Sequence, residues 1–349
     1  MTVRPFRVAL SANFRKPDGS MTYPSFDLSP LTAASGIETR FLSHGDPIRA
    51  HELEDIDALI LLSEQFTKNS IPASGKLSVV ARFGVGYDTV DVEACTQNDI
   101  AVCITPDGVR RPVAVSILTL MLALTGKLLV KDRITRLGPD GFAARNEYMG
   151  LGLVGRTLGS VGIGNIGAEM FRLAAPFGMK FIAHDPFADL SLASKLGVEL
   201  VDLDTVFTQS DVISINCPLT PDTHHLVNTS RLSQMKPTAY LINTARGSIV
   251  DQVALTLALR NGSIAGAGLD VFEVEPPAAD DPILTLDNVI LTPHALCWTD
   301  QCFGGIGAAD IASVLDVSLG QLPVGLLNHE VSERTEFSKK LASFSAQST

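Results

Sequence analysis

The sequence predicts an α/β protein built from two doubly wound parallel sheets. Three observations predict it. Short apolar runs alternate with helix-like stretches almost from end to end, as in parallel sheets covered by helices on both faces. The chain has 349 residues, enough for two domains of about 150 residues each. Near its middle, a glycine-rich turn joins a strand-like run to a helix-like run.

The first strands are expected at Phe6–Leu10, Glu38–Leu42, Ala58–Leu62, Leu77–Ala81 and Ile100–Cys103. An acid-free stretch, Val113–Val130, follows. Ser116, Thr119, Thr125, Gly126 and Lys127 interrupt it, and Pro112 suits a helix's first turn. A buried helix is therefore expected rather than a membrane span. Arg133–Leu153 holds Gly138, Pro139, Gly141, Gly150 and Gly152, and reads as a surface loop or an arm packing on a second subunit. The second series is expected at Thr157–Ile163, Lys180–His184, Val198–Leu200, Val212–Asn216, Ala239–Asn243, Ala265–Leu269 and Val289–Leu291. The last stretch, Glu330–Thr349, is rich in Ser, Lys and Ala and is expected to fray.

Composition narrows the function. Hydrophobic residues make up 46% and charged residues 19%, which is globular rather than disordered. Acidic residues outnumber basic ones 38 to 27, a net charge of −11. Nucleic acid is thus not expected as a partner, because phosphate binding needs a basic face. Met1–Asn13 has no apolar run of signal-peptide length, so no membrane partner and a cytoplasmic location are expected. The cysteines, Cys95, Cys103, Cys217, Cys297 and Cys302, are odd in number and lack zinc-site spacing. His224-His225 shows no third ligand nearby in sequence, so no metal is expected.

The glycine turn reads Gly162-Ile163-Gly164-Asn165-Ile166-Gly167. The first glycine permits a tight turn, the second lets backbone approach a pyrophosphate, and the third lets helix and strand pack closely. The helix N-terminus then offers unpaired N–H groups and its positive dipole end. Asp185 ends the next strand, eighteen residues after Gly167. A carboxylate there accepts hydrogen bonds from ribose hydroxyls and repels a 2′-phosphate, so NAD is expected rather than NADP. Three more segments follow apolar strands: Asn243-Thr244-Ala245-Arg246-Gly247, Asp270 to Pro276, and Thr292-Pro293-His294-Ala295. In a doubly wound sheet all such strand ends open onto one crevice.

Together these segments resemble the D-isomer-specific 2-hydroxyacid dehydrogenases, of the phosphoglycerate, glyoxylate and hydroxypyruvate type. The likeness runs from about residue 55 to 320. It covers Arg82 to Asp88, the glycine turn through Asp185, Cys217-Pro218-Leu219-Thr220, Asn243 to Asp251, Asp270 to Pro276 and Pro293-His294. The resemblance implies two Rossmann-like domains, the first flavodoxin-like and discontinuous. Residues 1–107 and 296–335 would bind substrate, residues 108–295 would bind NAD, and 336–349 would be a flexible tail. It implies an NAD-dependent oxidoreductase moving a hydride between nicotinamide and C2 of a small D-2-hydroxy or 2-keto acid. It also implies a homodimer.

The implied roles have a physical basis. A histidine titrates near neutrality and can serve as acid or base, which suits His294. Glu275 would hold its ring and raise its pKa. Arg246 would bind the substrate carboxylate and polarise its carbonyl. Arg82 and the backbone at Val85 and Gly86 would hold the same substrate. Beyond Gly162, Gly164, Asn165, Ile166, Gly167 and Asp185, the expected cofactor contacts are Cys217, Pro218, Thr244, Ala245, Arg246, Asp270 and His294. The chain departs from the family pattern at Val115, Asn216 and Leu62; at Leu62 the phosphoglycerate branch usually has Arg. Trp298 is expected to line the substrate pocket or to anchor the returning helix. A rival reading is an NAD(H)-sensing corepressor on the same fold.

Overall fold

The structure is a computed structural model that describes residues 4–43 and 45–346. The chain divides into two compact units, Met1–Val109 with Trp298–Thr349, and Arg110–Cys297.

The first unit carries five parallel strands: β1 (Phe6–Leu10), β2 (Ile37–Phe41), β3 (Ala58–Leu61), β4 (Val79–Arg82) and β5 (Ala101–Cys103). Their order is β2-β1-β3-β4-β5, the doubly wound order of flavodoxin-like sheets. All four residues of β3 are buried, as expected of a parallel strand covered on both faces. The helix Asp300–Ser318 packs against β4. Trp298 stands edge-on to Tyr23 and Phe303, and Tyr23 stacks on Phe303 at 4.0 Å. The indole therefore anchors the start of that helix.

The second unit carries β6 (Thr157–Val161), β7 (Lys180–His184), β8 (Val198–Leu200), β9 (Val212–Ile215), β10 (Tyr240–Asn243), β11 (Gly266–Leu269) and β12 (Val289–Leu291). The order is β12-β11-β10-β9-β6-β7-β8, all parallel. Strand order reverses at β6, the switch point where such sheets bind ligands. The register aligns the strand ends. Val161 faces His184 and Ile215, Asn243 faces Ile215 and Leu269, and Leu269 faces Leu291. Every segment that follows these residues therefore leaves the sheet along one edge. Val161, Phe207, Ile213, Leu241, Leu255 and Phe272 belong to the core beneath it.

Two expectations about helices are corrected. The long helix runs Pro106–Thr125, so Pro112 lies inside it and not in its first turn. Pro106 takes the helix-initiating position instead. Ile117 and Met121 are fully buried, and Leu120 and Leu124 lie over Gly268 of β11. The helix is long and apolar enough to cross a membrane, yet just over half of that stretch is buried inside the protein. The expected flexible tail is a helix, Thr335–Ser345. Phe337, Leu341 and Phe344 form its buried stripe, and Phe344 meets Phe6 edge-on at 5.0 Å. Lys340 Nζ also donates to the carbonyls of Leu77 and Asp99. Residues 347–349 of that tail lie outside the described residues.

Candidate active site

The glycine turn is built as its three glycines suggest. Gly162 has φ +97°, and a Cβ there would come within 2.8 Å of the Asn216 carbonyl at the end of β9. A Cβ on Gly167 would stand 2.6 Å from the Gly162 carbonyl oxygen, so the helix Asn165–Ala174 could not seat as closely. Around Gly164 a Cβ would meet nothing within 4 Å, and no side chain caps the helix there. Gly164 and Asn165 are exposed and Ile166 is half-buried, so the start of this helix is open to solvent, where a helix N-terminus can accept an anionic group. Asn216 donates to Ser160 Oγ and Ser214 Oγ, tying β9 to β6 beneath the turn.

Asp185 emerges beside this turn. Its Oδ2 accepts the Ile163 N–H at 2.9 Å and Oδ1 accepts the Phe187 N–H at 2.9 Å. The carboxylate is fixed in place, and the remaining lone pair on each oxygen can accept a ribose hydroxyl. The next side, Cys217, packs against the core. Burial pushes its thiol up to about 11, so it stays protonated at neutral pH. The loop beyond it is held by Thr223, whose hydroxyl donates to the Pro218 carbonyl. The open helix start and the carboxylate suit a dinucleotide.

The other strand ends assemble the reactive groups. Asn243 is buried; it accepts the Ala245 N–H and donates to the Arg246 carbonyl, which fixes the turn through Thr244, Ala245 and Arg246. Arg246 Nη1 donates to the Ala245 carbonyl at 2.7 Å. A Cβ on Gly247 would overlap the Phe272 carbonyl. Only glycine lets this turn lie against the segment that leads to Glu275. Asp270, also buried, accepts from the Thr292 hydroxyl at 2.6 Å and from the Ala295 and Leu296 N–H groups. It thereby holds the loop that carries His294.

His294 Nδ1 donates to Glu275 Oε2 at 2.8 Å. Glu275 Oε1 accepts the Phe272 N–H at 2.9 Å. His294 has φ +52°, a left-handed conformation that costs about 1–3 kcal/mol. The surrounding hydrogen bonds hold it there. The Glu275 hydrogen bond lifts the His294 pKa above the ordinary imidazole value. Burial and the Arg246 charge oppose this, and the Glu275 and Asp270 charges add to it. Burial opposes ionisation of Glu275. The His294 hydrogen bond, the Phe272 N–H and the His294 and Arg246 charges outweigh it and hold the carboxyl below its usual value. With Nδ1 committed, Nε2 is the ring nitrogen left to exchange a proton. The structure thus brings together Arg246, Glu275 and His294 from three strand ends.

Arg82, Val85 and Gly86 belong to the first unit, where Arg82 ends β4 and donates to the Phe83 carbonyl. Among the described residues the roles of Asn243 and Asp270 as loop anchors were not read from sequence. Their long-range partners leave no spacing signal. Arg111, near the start of the second unit, is paired with Glu169 at 2.9 Å.

A family profile for the "D-isomer specific 2-hydroxyacid dehydrogenase, NAD binding domain" matches residues 118–295. The chain is 39% identical over 281 residues to a glyoxylate reductase of Korarchaeum cryptofilum, covering 80% of this chain and 85% of that one. It is 38% identical over 279 residues to a D-3-phosphoglycerate dehydrogenase of Methanocaldococcus jannaschii, covering 79% of this chain but 52% of that one. A solved D-lactate dehydrogenase from Aquifex aeolicus, complexed with NAD and lactic acid, superposes with a TM-score of 0.75 at 29% identity, over 88% of this chain and 94% of that one.

Proposed function

Because the chain belongs to the D-isomer specific 2-hydroxyacid dehydrogenase family, and is therefore an NAD-dependent oxidoreductase of small hydroxy and keto acids, we propose that its substrates are short and unphosphorylated and that His294 is the general acid and base. The observation that carries the second part is the 2.8 Å contact between His294 Nδ1 and Glu275. For the first part, Leu62 stands where the phosphoglycerate branch usually has Arg, and Arg111 is engaged by Glu169. A phosphate would thus lack the cation that the phosphoglycerate branch places at this position.

The glycine turn and the helix start at Asn165 would hold the pyrophosphate, and Asp185 the adenosine ribose. Thr244, Ala245, Arg246, Asp270 and His294 would flank the nicotinamide half. When bound, the nicotinamide gives or takes the hydride. His294 Nε2 would give its proton to the substrate oxygen during keto-acid reduction and take it back during oxidation. Glu275 would keep the ring oriented and its cationic form populated. Arg246 would bind the substrate carboxylate with its planar donors.

A homodimer belongs to the same reading. Val115, Leu122, Leu128, Leu129, Leu137 and Phe142 are each more than 40% exposed along one stretch of chain. Apolar side chains left bare in this way suit burial against a second copy.

The test is a panel of keto acids with NADH and NADPH. Glyoxylate, hydroxypyruvate and pyruvate should be turned over faster than phosphohydroxypyruvate, and with NADH in preference to NADPH. Preference for the phosphorylated acid would overturn the substrate assignment. Binding of NADH without turnover of any acid would favour a sensor.

A further inference from the structure

The pair His224-His225 shows no third ligand within its own stretch of sequence, but the fold supplies one from 48 residues away. His225 Nε2 lies 2.6 Å from Glu273 Oε1. One ligand atom from each of His224, His225 and Glu273 lies within 4.8 Å of the others. The two imidazoles stack at 4.0 Å between centroids and 27° between planes, so they stand side by side. His225 adopts φ +49°, and its N–H donates to the Ser248 carbonyl. The unusual backbone is thus pinned from a second loop. Glu273 is anchored as well. Its Oε2 accepts the Gln252 N–H, and its own N–H donates to Gln252 Oε1.

We propose that His224, His225 and Glu273 form a binding site for a divalent transition metal of the zinc type. Two imidazoles and one carboxylate are the donor set that suits such ions, whereas calcium and magnesium prefer oxygen ligands alone. An ion at about 2.0–2.2 Å from each donor sets them roughly 3.3 Å apart. His225 and Glu273 would open slightly, and the exposed His224 would swing inward. Water would fill the open positions, because His224 is exposed and the other two are half-buried. The site's three residues are distinct from Arg246, Glu275 and His294. It nevertheless shares the Asp270 to Glu275 segment, since Glu273 lies two residues before Glu275. A bound ion would clamp that segment to the loop at His225.

The experiment titrates the chelator-treated full chain with Zn²⁺ by calorimetry and with Co²⁺ by visible absorption. Wild-type protein should take up one ion per chain at micromolar or tighter affinity, with cobalt bands of a nitrogen and oxygen site. His224→Ala removes an exposed side chain, and Glu273→Gln is nearly isosteric. Each should weaken uptake at least tenfold while the melting temperature without metal and NADH binding by His224→Ala stay as in wild type. Absence of uptake by wild-type protein, or uptake kept within tenfold in either variant, overturns the site.

Discussion

At the residue scale, the proposed proton chemistry turns on the pairing of His294 with Glu275. The hydrogen bond and charge of Glu275 lift the imidazole, so its cationic form persists to higher pH than in a free side chain. In the proposed mechanism reduction uses that cation, and its rate should fall as pH rises through the lifted value. Oxidation needs the neutral ring and should rise through the same region. Glu275→Gln removes the charge and lets the His294 pKa fall. The reduction limb should then move to lower pH. On the falling side of that limb, the rate at pH 8 should drop roughly tenfold for every pH unit by which the midpoint moves down. Rate profiles in both directions check this, and an unmoved limb would contradict the pairing. These two residues were legible as positions because each follows an apolar strand, while their roles came only through the family resemblance. The anchors Asn243 and Asp270 were legible as positions, but not in what they hold. Asp270 works through Thr292 and Ala295, more than twenty residues away.

At the element scale, the loops that carry Arg246 and Glu275 touch through Gly247. The variant Gly247→Ala would press a Cβ into the Phe272 carbonyl. Such overpacking costs about 1–3 kcal/mol, and a displacement of about 1 Å at the reacting groups can lower the rate about a hundredfold. Melting temperature and kcat/KM should therefore both drop. A variant with wild-type kcat/KM would show that the loops do not need this contact. Strands were the most readable elements, because parallel strands are continuous apolar runs. β1, β7, β8 and β12 stand at the expected residues. The terminal helix was hidden by its polar composition, although Phe337, Leu341 and Phe344 keep the helical spacing of a buried stripe. Asp310 gave no warning either. It is fully buried in the helix Asp300–Ser318, and burial drives its carboxyl well above the usual value.

At the scale of the whole molecule, one register delivers the chemistry. Six strand ends of the second unit share an edge, so groups spread from Gly162 to Leu296 gather without any local sequence signal that they meet. The exposed apolar residues between Val115 and Phe142 lead to the proposed dimer. Sedimentation should give twice the 37.1 kDa chain mass, and a monomer at micromolar concentration would contradict it. The central proposal, that His294 exchanges the substrate proton, is tested most directly by NADH oxidation with glyoxylate across pH 5 to 9, for wild type and His294→Gln. The variant should lose about 10²–10⁴-fold in kcat and lose the pH limb while still binding NADH. A variant within tenfold of wild type that keeps the same limb would assign the proton to another group.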